Sequence, residues 1–489
     1  MTTTTPRPAL HRPATDRPGP VPGSDPGSDP ALTSADAYLR LVQAGPAAAV
    51  ARRLGLPRPP VLRRHVPGAP LVEGPVLVLG RGAEADALAG LLAAAPAAGG
   101  RADGWDLDVH RHPTEGLRYG AVVLALTGLE HPGDLADPVL ALAGVLRRLA
   151  PAGRVVTVSR PARAGDPPAR AAARQAVDGF LRSLAKELRG GATGNGVVVA
   201  DGVDVLAPAV LGTLRFLLSA RSAFVDGQLL PVDSGAGTLP ADPERPLEGR
   251  VAVVTGAARG IGAAIASVLA RDGARVVAVD VPAAGEALAG VANGVRGTAL
   301  ALDVTSRDAG RRILEHALAR HGHLDVVVHN AGITRDKLLA NTTPDRWASV
   351  LAVNVEAPLR ITEHLLAAGA LTDAPRVVAL ASTSGIAGNR GQTGYAASKA
   401  AVMGMVAATA PLLAAVGGTA NAVAPGFVET EMTARIPALT RQVARRLNTL
   451  QQGGLPVDVA EAVAFLASPA AGGILGQTLR VCGQSMVGR

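Results

Sequence analysis

The chain carries a single cysteine, Cys482, in 489 residues. That excludes an internal disulfide and any metal site built on four thiolates. Aromatic residues make up only 2% of it: three Tyr, five Phe and two Trp. Its cores must therefore be assembled from alanine, valine and leucine. No apolar run of membrane-spanning length is free of charges or breaks. The start, Met1-Thr-Thr-Thr-Thr-Pro-Arg, lacks the apolar segment of a secretory leader. A cytoplasmic protein without membrane insertion is the expectation. The net charge of +8 is spread among acidic residues, with no lysine-rich tail and no aromatic-basic stripe. This predicts mild attraction for anionic small molecules and argues against a nucleic-acid partner.

What is present is apolar, 48% of the chain, enough for two or three sizeable cores. Residues 1–33, rich in Pro, Asp, Ser and Thr, predict a disordered segment. Ser34 to Arg53 has a helical pattern. A first α/β block, 34–235, has strand candidates at Pro75–Leu79, Ala121–Leu126 and Arg154–Val158. Residues 236–248 fall in a Gly- and Pro-rich stretch that reads as a linker. A second α/β block occupies 249–489. The blocks share patterns: Arg154-Val-Val-Thr-Val parallels Arg376-Val-Val-Ala-Leu, and Leu217 to Val232 parallels Phe465 to Val481. A duplicated fold is expected. The first copy has lost its chemistry, because Arg170 and Arg174 fall where the second has Tyr395 and Lys399, and its glycine loop is reduced to Gly80-Arg-Gly82. It reads as a scaffold, a dimerisation surface or a contact for an acyl carrier.

The second block opens on Arg250-Val-Ala-Val-Val-Thr-Gly-Ala-Ala-Arg-Gly-Ile-Gly262, a short strand, a glycine loop and a helix start. Gly256, Gly260 and Gly262 allow a tight turn and close approach of a pyrophosphate to the helix N-terminus; Ile261 lies between the last two. A second strand, Arg275 to Val279, ends in Asp280. Leu302-Asp303-Val304 and Asp325-Val-Val-Val-His-Asn330-Ala331-Gly332 end further strands. This alternation is the pattern of a dinucleotide crevice. A carboxylate at Asp280 accepts hydrogen bonds from both adenosine ribose hydroxyls and repels a 2′-phosphate. NAD(H) is expected over NADP(H), although Arg259 leaves NADP(H) possible.

Downstream, a strand from Arg376 to Ala381 runs into Ser382, a glycine-rich loop, and Tyr395 four residues before Lys399. If Tyr395 opens a helix, Lys399 lies one turn on, on the same face. A phenol beside an ammonium ionises more easily than its ordinary pKa near 10 allows. With a serine near, such a trio passes a proton to or from a carbonyl or alcohol oxygen.

The second block resembles the short-chain dehydrogenase/reductases. Thr255-Gly-x-x-x-Gly-Ile-Gly262, Asn330-Ala-Gly332, Asn354, Ser382, Tyr395-x-x-x-Lys399 and Pro425-Gly426 occur in the family's order. Asn330 to Leu339 and Ala424 to Thr433 are similar to the wording of 3-oxoacyl-(acyl-carrier-protein) reductases. The overall plan resembles their high-molecular-weight actinobacterial form, with an extra degenerate N-terminal α/β domain. The resemblance implies a Rossmann-like parallel sheet in the C-terminal domain, preceded by a smaller flavodoxin-like or Rossmann-like one. It implies Tyr395 as general acid, Lys399 lowering its pKa and holding the nicotinamide ribose, and Ser382 bonding the substrate oxygen. Asn354 would hold a helix carbonyl and a relay water. Asn330 and Gly332 would line the adenosine side, Asp303 would hold the adenine amine and Val304 would flank the ring. Pro425, Gly426, Val428 and Thr430 would contact the nicotinamide. The implied reaction is NADH-linked reduction of a 3-oxoacyl thioester to the (3R)-hydroxyacyl thioester.

Two departures bear on the substrate. The arginine that often precedes the Pro-Gly turn in carrier-protein reductases is absent from Val416-Gly-Gly-Thr-Ala-Asn421, and the basic segment before the Ser382 strand is Leu371-Thr-Asp-Ala-Pro375. An acidic carrier is steered by such arginines, so acyl-CoA gains as the substrate beside acyl carrier protein. Arg147, Arg148 or Arg182 of the first block are candidate replacements. A dehydrogenase for another alcohol or ketone, such as a polyketide or steroid, and a non-catalytic dinucleotide-binding scaffold are the alternatives. Thr430 to Leu455, with Met432, Ile436, Leu439, Leu447 and Leu450, is the candidate substrate lid. Relatives pair through helices beginning near Asn354 and Tyr395. In this chain the first block is expected to cover one such surface, leaving a homodimer. His321, His323 and His329 lack metal-ligand spacing, so no metal is expected. Cys482 reads as a buried small side chain, and Trp347 and Phe465 as helix-packing residues. Ser384 competes with Ser382, which the family spacing to Tyr395 favours.

Overall fold

The computed structural model describes residues 36, 38–39, 42, 45–95, 104–371 and 373–485. The segment 1–33, expected to be disordered, lies outside them. A helix, α1 (Gly45–Arg53), precedes two parallel sheets. The first unit is β1 (Val76–Leu79), α2 (Ala83–Ala93), β2 (Val109–His110), β3 (Tyr119–Leu126), α3 (Ala136–Val145), β4 (Leu149–Ser159), α4 (Pro168–Glu187), β5 (Thr193–Val199), α5 (Pro208–Leu218) and β6 (Leu229–Val232). Its strand order is 2-1-3-4-5-6.

The second unit begins with β7 (Val251–Thr255), α6 (Gly260–Arg271), β8 (Arg275–Asp280), α7 (Gly285–Gly294), β9 (Thr298–Ala301), α8 (Ala309–His321) and β10 (Val326–His329). It continues through α9 (Pro344–Leu351), α10 (Ala357–Ala367), β11 (Arg376–Leu380), α11 (Thr383–Ala387), α12 (Thr393–Ala414) and β12 (Thr419–Pro425). Helices α13 (Glu431–Ala434), α14 (Ala438–Arg446) and α15 (Pro456–Ala467) and strand β13 (Thr478–Val481) complete it. Its order is 13-12-11-10-7-8-9, a doubly wound Rossmann-like sheet whose switch point lies between β7 and β10. The central strands read as unbroken runs of Val and Ala and are buried on both faces, as a parallel sheet covered by helices requires.

The first sheet lacks the counterpart of β9, and otherwise the units match in detail. Arg154 Nε donates to the Ser219 carbonyl and Arg376 Nε to that of Ser468, both at 3.3 Å. Each arginine also caps a carbonyl two residues back, on Ala152 and Ala374, and both alanines are left-handed (φ 54° and 46°). Asn195 bridges Val225 and Gln228 as Asn421 bridges Ile474 and Gln477. Chance similarity of Ala- and Leu-rich sequence does not reproduce four matched hydrogen bonds and a matched left-handed alanine, so the expected duplication is real.

The units pack through α5 and α15. Phe216 stacks on Phe465 with ring centres 4.3 Å apart, so Phe465 packs helices as expected. Arg221 pairs with Asp272 (2.7 Å) and Glu461 (3.0 Å), and Arg271 pairs with the same two carboxylates. Arg64 donates twice to Asp458 at 2.9 Å. Removing one member of such a buried network typically costs about 3–5 kcal/mol, so these contacts fix one unit on the other. The first unit thus covers α15, and not the helices that begin near Asn354 and Tyr395, where it was expected. The reason is in the chain itself: α5 and α15 are apolar helices of the two copies that face each other. Residues 236–248 are no free tether either. Thr238 N–H donates to Pro469, Leu247 N–H donates to Asp272, and Leu247 is fully buried.

Candidate active site

The glycine loop between β7 and α6 is shaped by what surrounds it. Gly256 has φ +66°, and a Cβ there would stand 2.8 Å from Ala331 Cα. A Cβ on Gly262 would stand 2.0 Å from the Gly256 carbonyl oxygen. Only glycine fits either place. Asn330 Nδ2 donates to the Thr255 and Gly256 carbonyls, both at 3.0 Å, and the Asn330 and Ala331 N–H groups donate to Thr255 Oγ1. Asn330 therefore ties the ends of β7 and β10 together and holds the loop. The N-terminus of α6, with Gly260, Ile261 and Gly262 in its first turn, directly follows this loop, an arrangement suited to a pyrophosphate.

Asp280 ends β8 with one oxygen turned to this loop and the other to the chain that follows β8. One accepts from Ala258 N–H at 2.9 Å, the other from Val281 N–H at 2.8 Å. Arg259, at the N-cap of α6, is exposed. Asp303 is exposed and accepts from Thr305 through one oxygen only. Val304 is 8% exposed and packed in the core, which leaves little of its side chain to flank an adenine. The loop geometry and the placement of Asp280 fit a dinucleotide.

The catalytic candidates converge from three elements. Ser382 caps α11 at the end of β11 and is largely buried; its Oγ accepts from Ser384 N–H at 3.1 Å. Ser384 Oγ donates instead to Gln392 Oε1 (3.1 Å), and Gln392 reaches Asp336. That leaves Ser382 as the serine beside the phenol. Tyr395 and Lys399 lie one turn apart near the start of α12, with Lys399 Nζ 5.7 Å from the centre of the Tyr395 ring. Lys399 Nζ donates to the Leu380 carbonyl at 2.6 Å. Trp347 packs against Gly394 beside them.

Asn354 sits in a π-helical turn, Ala352–Glu356, a distortion frequent at functional sites. Its Oδ1 accepts from Ile333 N–H (2.8 Å), and its Nδ2 donates to the Ile333 carbonyl (3.0 Å) and to Ser398 Oγ (2.9 Å). Ser398 Oγ donates in turn to the Tyr395 carbonyl at 2.7 Å. Sequence reasoning missed Ser398, whose only signal was its position just before Lys399. Gly332 lies beside both centres: a Cβ there would stand 3.3 Å from Asn354 Oδ1 and 3.4 Å from Lys399 Nζ. That puts it nearer the catalytic pair than the adenosine end where it was expected.

Electrostatics departs from the sequence expectation at one point. Burial pushes the Tyr395 phenol above its ordinary value. The Ser382 hydroxyl pulls it back, and the Asp336 charge pushes it further up. Lys399 is itself fully buried, which lowers it to about 8. Desolvation outweighs attraction: the ammonium lies near the ring but gives its hydrogen bond to the Leu380 carbonyl and not to the phenol oxygen. A phenol that holds its proton is the form a general acid needs.

At the other side, β12 delivers Pro425 and Gly426, and the buried Cys482 packs on Gly426. Val428 is buried and Thr430 Oγ1 caps α13, accepting from Thr433 N–H. Helices α13 and α14 form the candidate lid, with Met432, Leu439 and Leu447 exposed, whereas Leu450 is buried in the core. Asp36, before α1, accepts from Gln442 and Arg446 of α14, and Arg446 lies over the Tyr38 ring. His329 bonds Thr362 and His323 bonds Gly249. Helix α12 is long and apolar enough to span a membrane by length and composition, which the sequence reading did not anticipate; here it packs along β11, β12 and α11 and carries the buried Lys399.

In the first unit the equivalent crevice is filled by its own arginines. Counting from Arg154 and Arg376, Arg160 takes the place of Ser382. Its guanidinium donates to the Ala200 and Val203 carbonyls and to Glu84. Arg111 donates to the Val78 and Gly80 carbonyls, and Arg174 pairs with Asp166 and Asp201.

Comparison with known proteins covers the second unit. Residues 256–483 match the family profile described as enoyl-(acyl carrier protein) reductase. The chain is 39% identical over 240 residues to the 3-oxoacyl-[acyl-carrier-protein] reductase of Thermotoga maritima, covering 98% of that protein and 48% of this one. The enzymes of that name from Vibrio harveyi and Escherichia coli are 41% and 38% identical over 239 and 242 residues, each covered to 97%. The chain belongs to the short-chain dehydrogenase/reductase family. It is an oxidoreductase of that family with a Rossmann-like dinucleotide-binding domain, and its first unit lies outside the profile match.

Proposed function

We propose that the protein reduces the 3-keto group of a 3-oxoacyl thioester to the (3R)-hydroxyacyl thioester with NADH. The observation that carries this reading is the pairing of two hydroxyls, Ser382 and Tyr395, next to a buried lysine and a dinucleotide crevice. A ketone oxygen gaining charge needs two donors and then a proton. Ser382 and Tyr395 hold that oxygen, and Tyr395 gives up its proton to it. Lys399 stabilises the phenolate left behind, and the Asn354–Ser398 contacts hold the backbone of Tyr395 in place. A bound nicotinamide supplies the hydride. The exposed apolar side chains of α13 and α14 suit an acyl chain. The relatives' shared name supports the 3-oxo group as substrate, while the profile's description points to enoyl thioesters.

The deciding assay follows NADH oxidation with acetoacetyl-CoA beside crotonyl-CoA. Turnover of the first is expected. Turnover of the second alone would transfer the protein to enoyl reduction, and failure of both despite NADH binding would leave another alcohol or ketone. A homodimer through the faces of α10 and α12, where Leu412 is 61% exposed, belongs to the same reading, and sedimentation as a monomer would exclude it.

The pH dependence follows from the two buried groups. Ketone reduction needs Tyr395 and Lys399 both protonated, and kcat/KM reports the free enzyme. It is expected to be level below about 8, the value for Lys399, and to decline above it as the ammonium is lost. Oxidation of the alcohol, which needs the phenolate, rises with pH instead. A reductive profile undiminished to about pH 10, the ordinary phenol value, would remove the Lys399 charge from the reaction.

A further inference from the structure

At the foot of the lid lies a cavity of about 640 Å³ whose walls come from both units. Arg52 of α1, Arg58, Arg189 at the end of α4, and Thr449, Leu450 and Gln451 at the end of the lid line it. Among the described residues, no carboxylate does. Among the described residues, none of the three arginine side chains has a hydrogen bond or ion pair, and all three are exposed. Several other arginines of the first unit are paired: Arg182 with Asp178, Arg170 with Glu130, Arg163 with Asp201, and Arg148 with the Thr114 carbonyl; what sets these three apart is that they share one cavity. Three free guanidinium groups around one cavity repel one another, an arrangement that favours a multiply charged anion and suits phosphate above all. The volume is that of a cofactor site.

The cavity is tied to the reaction site by the backbone. Gly454 N–H donates to the Phe427 carbonyl (3.0 Å), and Glu429 N–H donates to the Gly454 carbonyl (2.8 Å). These residues directly follow Gly426. Gln451 is three residues from Gly454, so it lies no more than about 11 Å from that junction, within the reach of a pantetheine arm. The wall is also held in place, since Gln452 Nε2 donates to the Pro60 carbonyl at 2.7 Å.

We propose that this cavity seats the phosphorylated adenosine end of a coenzyme A thioester, with the arm running under the lid to Tyr395. The inference rests on the thioester reading above and names its carrier. It supplies the cations from Arg52, Arg58 and Arg189, whereas Arg148 and Arg182 are engaged elsewhere and none of Arg147, Arg148 and Arg182 lines the cavity.

The probe is adenosine 3′,5′-bisphosphate, titrated by calorimetry with NADH saturating so that the dinucleotide crevice is filled. Saturable binding is expected, weakened about ten- to a hundredfold in an Arg58→Gln/Arg189→Gln protein, the usual effect of losing hydrogen bonds to charged groups. In kinetics, the bisphosphate should compete with acetoacetyl-CoA, and the double variant should raise KM for that ester far more than for acetoacetyl-N-acetylcysteamine, which lacks the phosphates. Circular dichroism on the variant checks its fold, and single variants replace it if it is unfolded. No binding, or binding indifferent to both arginines, overturns the proposal. So does a variant defect confined to a carrier-protein ester. Arginine-dependent binding without turnover of any thioester would retain the cavity as a polyphosphate site and sink the reductase reading instead.

Discussion

Replacing Tyr395 by phenylalanine is expected to lower kcat by about 10²–10⁴ while NADH still binds. The ring is half-buried in the first turn of α12, and phenylalanine keeps that packing. What disappears is the hydroxyl, with its raised pKa and its proximity to Ser382. No described neighbour replaces it: Ser384 is turned to Gln392, and Lys399 donates to Leu380. Stopped-flow fluorescence of NADH binding, read beside steady-state turnover, separates chemistry from cofactor capture. A variant retaining a tenth or more of wild-type kcat would remove Tyr395 as the acid. A loss of NADH affinity matching the loss of kcat would make the residue a binding element.

The Tyr395–Lys399 pair was legible because a helix repeats its face every three to four residues, and the glycine loop because two of its positions admit no Cβ. The duplication was legible too, since strands β4 and β11 keep the same apolar run. What the sequence hid lies in contacts made across the fold. The ion-pair network of Arg221, Asp272, Arg271 and Glu461 joins residues up to 240 apart in the chain, and Asp36 meets Arg446 across 410. No periodicity encodes such pairings. The π-turn that aims Asn354 at Ile333 and Ser398 is equally invisible, because nothing in Ala352-Val-Asn-Val-Glu356 distinguishes it from an ordinary α-helical turn. The direction of the Tyr395 shift was misjudged for a related reason. Sequence places an ammonium one turn away, but only the fold shows that it is buried and bonded to a carbonyl on β11.

The wild-type protein is expected to prefer NADH over NADPH by about a hundredfold or more in kcat/KM. Both oxygens of Asp280 are fixed by backbone N–H groups of Ala258 and Val281, so the carboxylate cannot swing away from an arriving 2′-phosphate. Two like charges about 4 Å apart near a protein surface repel by about 4 kcal/mol, an upper bound of about three orders of magnitude. Asp280→Ala should therefore lower efficiency with NADH, through lost bonds to the ribose hydroxyls, and raise it with NADPH. The gain has a specific source. Arg259 is exposed at the N-cap of α6, next to Ala258, which Asp280 holds, and once the carboxylate is gone it offers a cation to the phosphate. Adding Arg259→Ala to Asp280→Ala should cancel the NADPH gain and leave the NADH loss unchanged. A wild-type preference for NADPH would mean that Arg259 already outweighs Asp280, and would move the proposed cofactor to NADPH with the rest of the site unaltered.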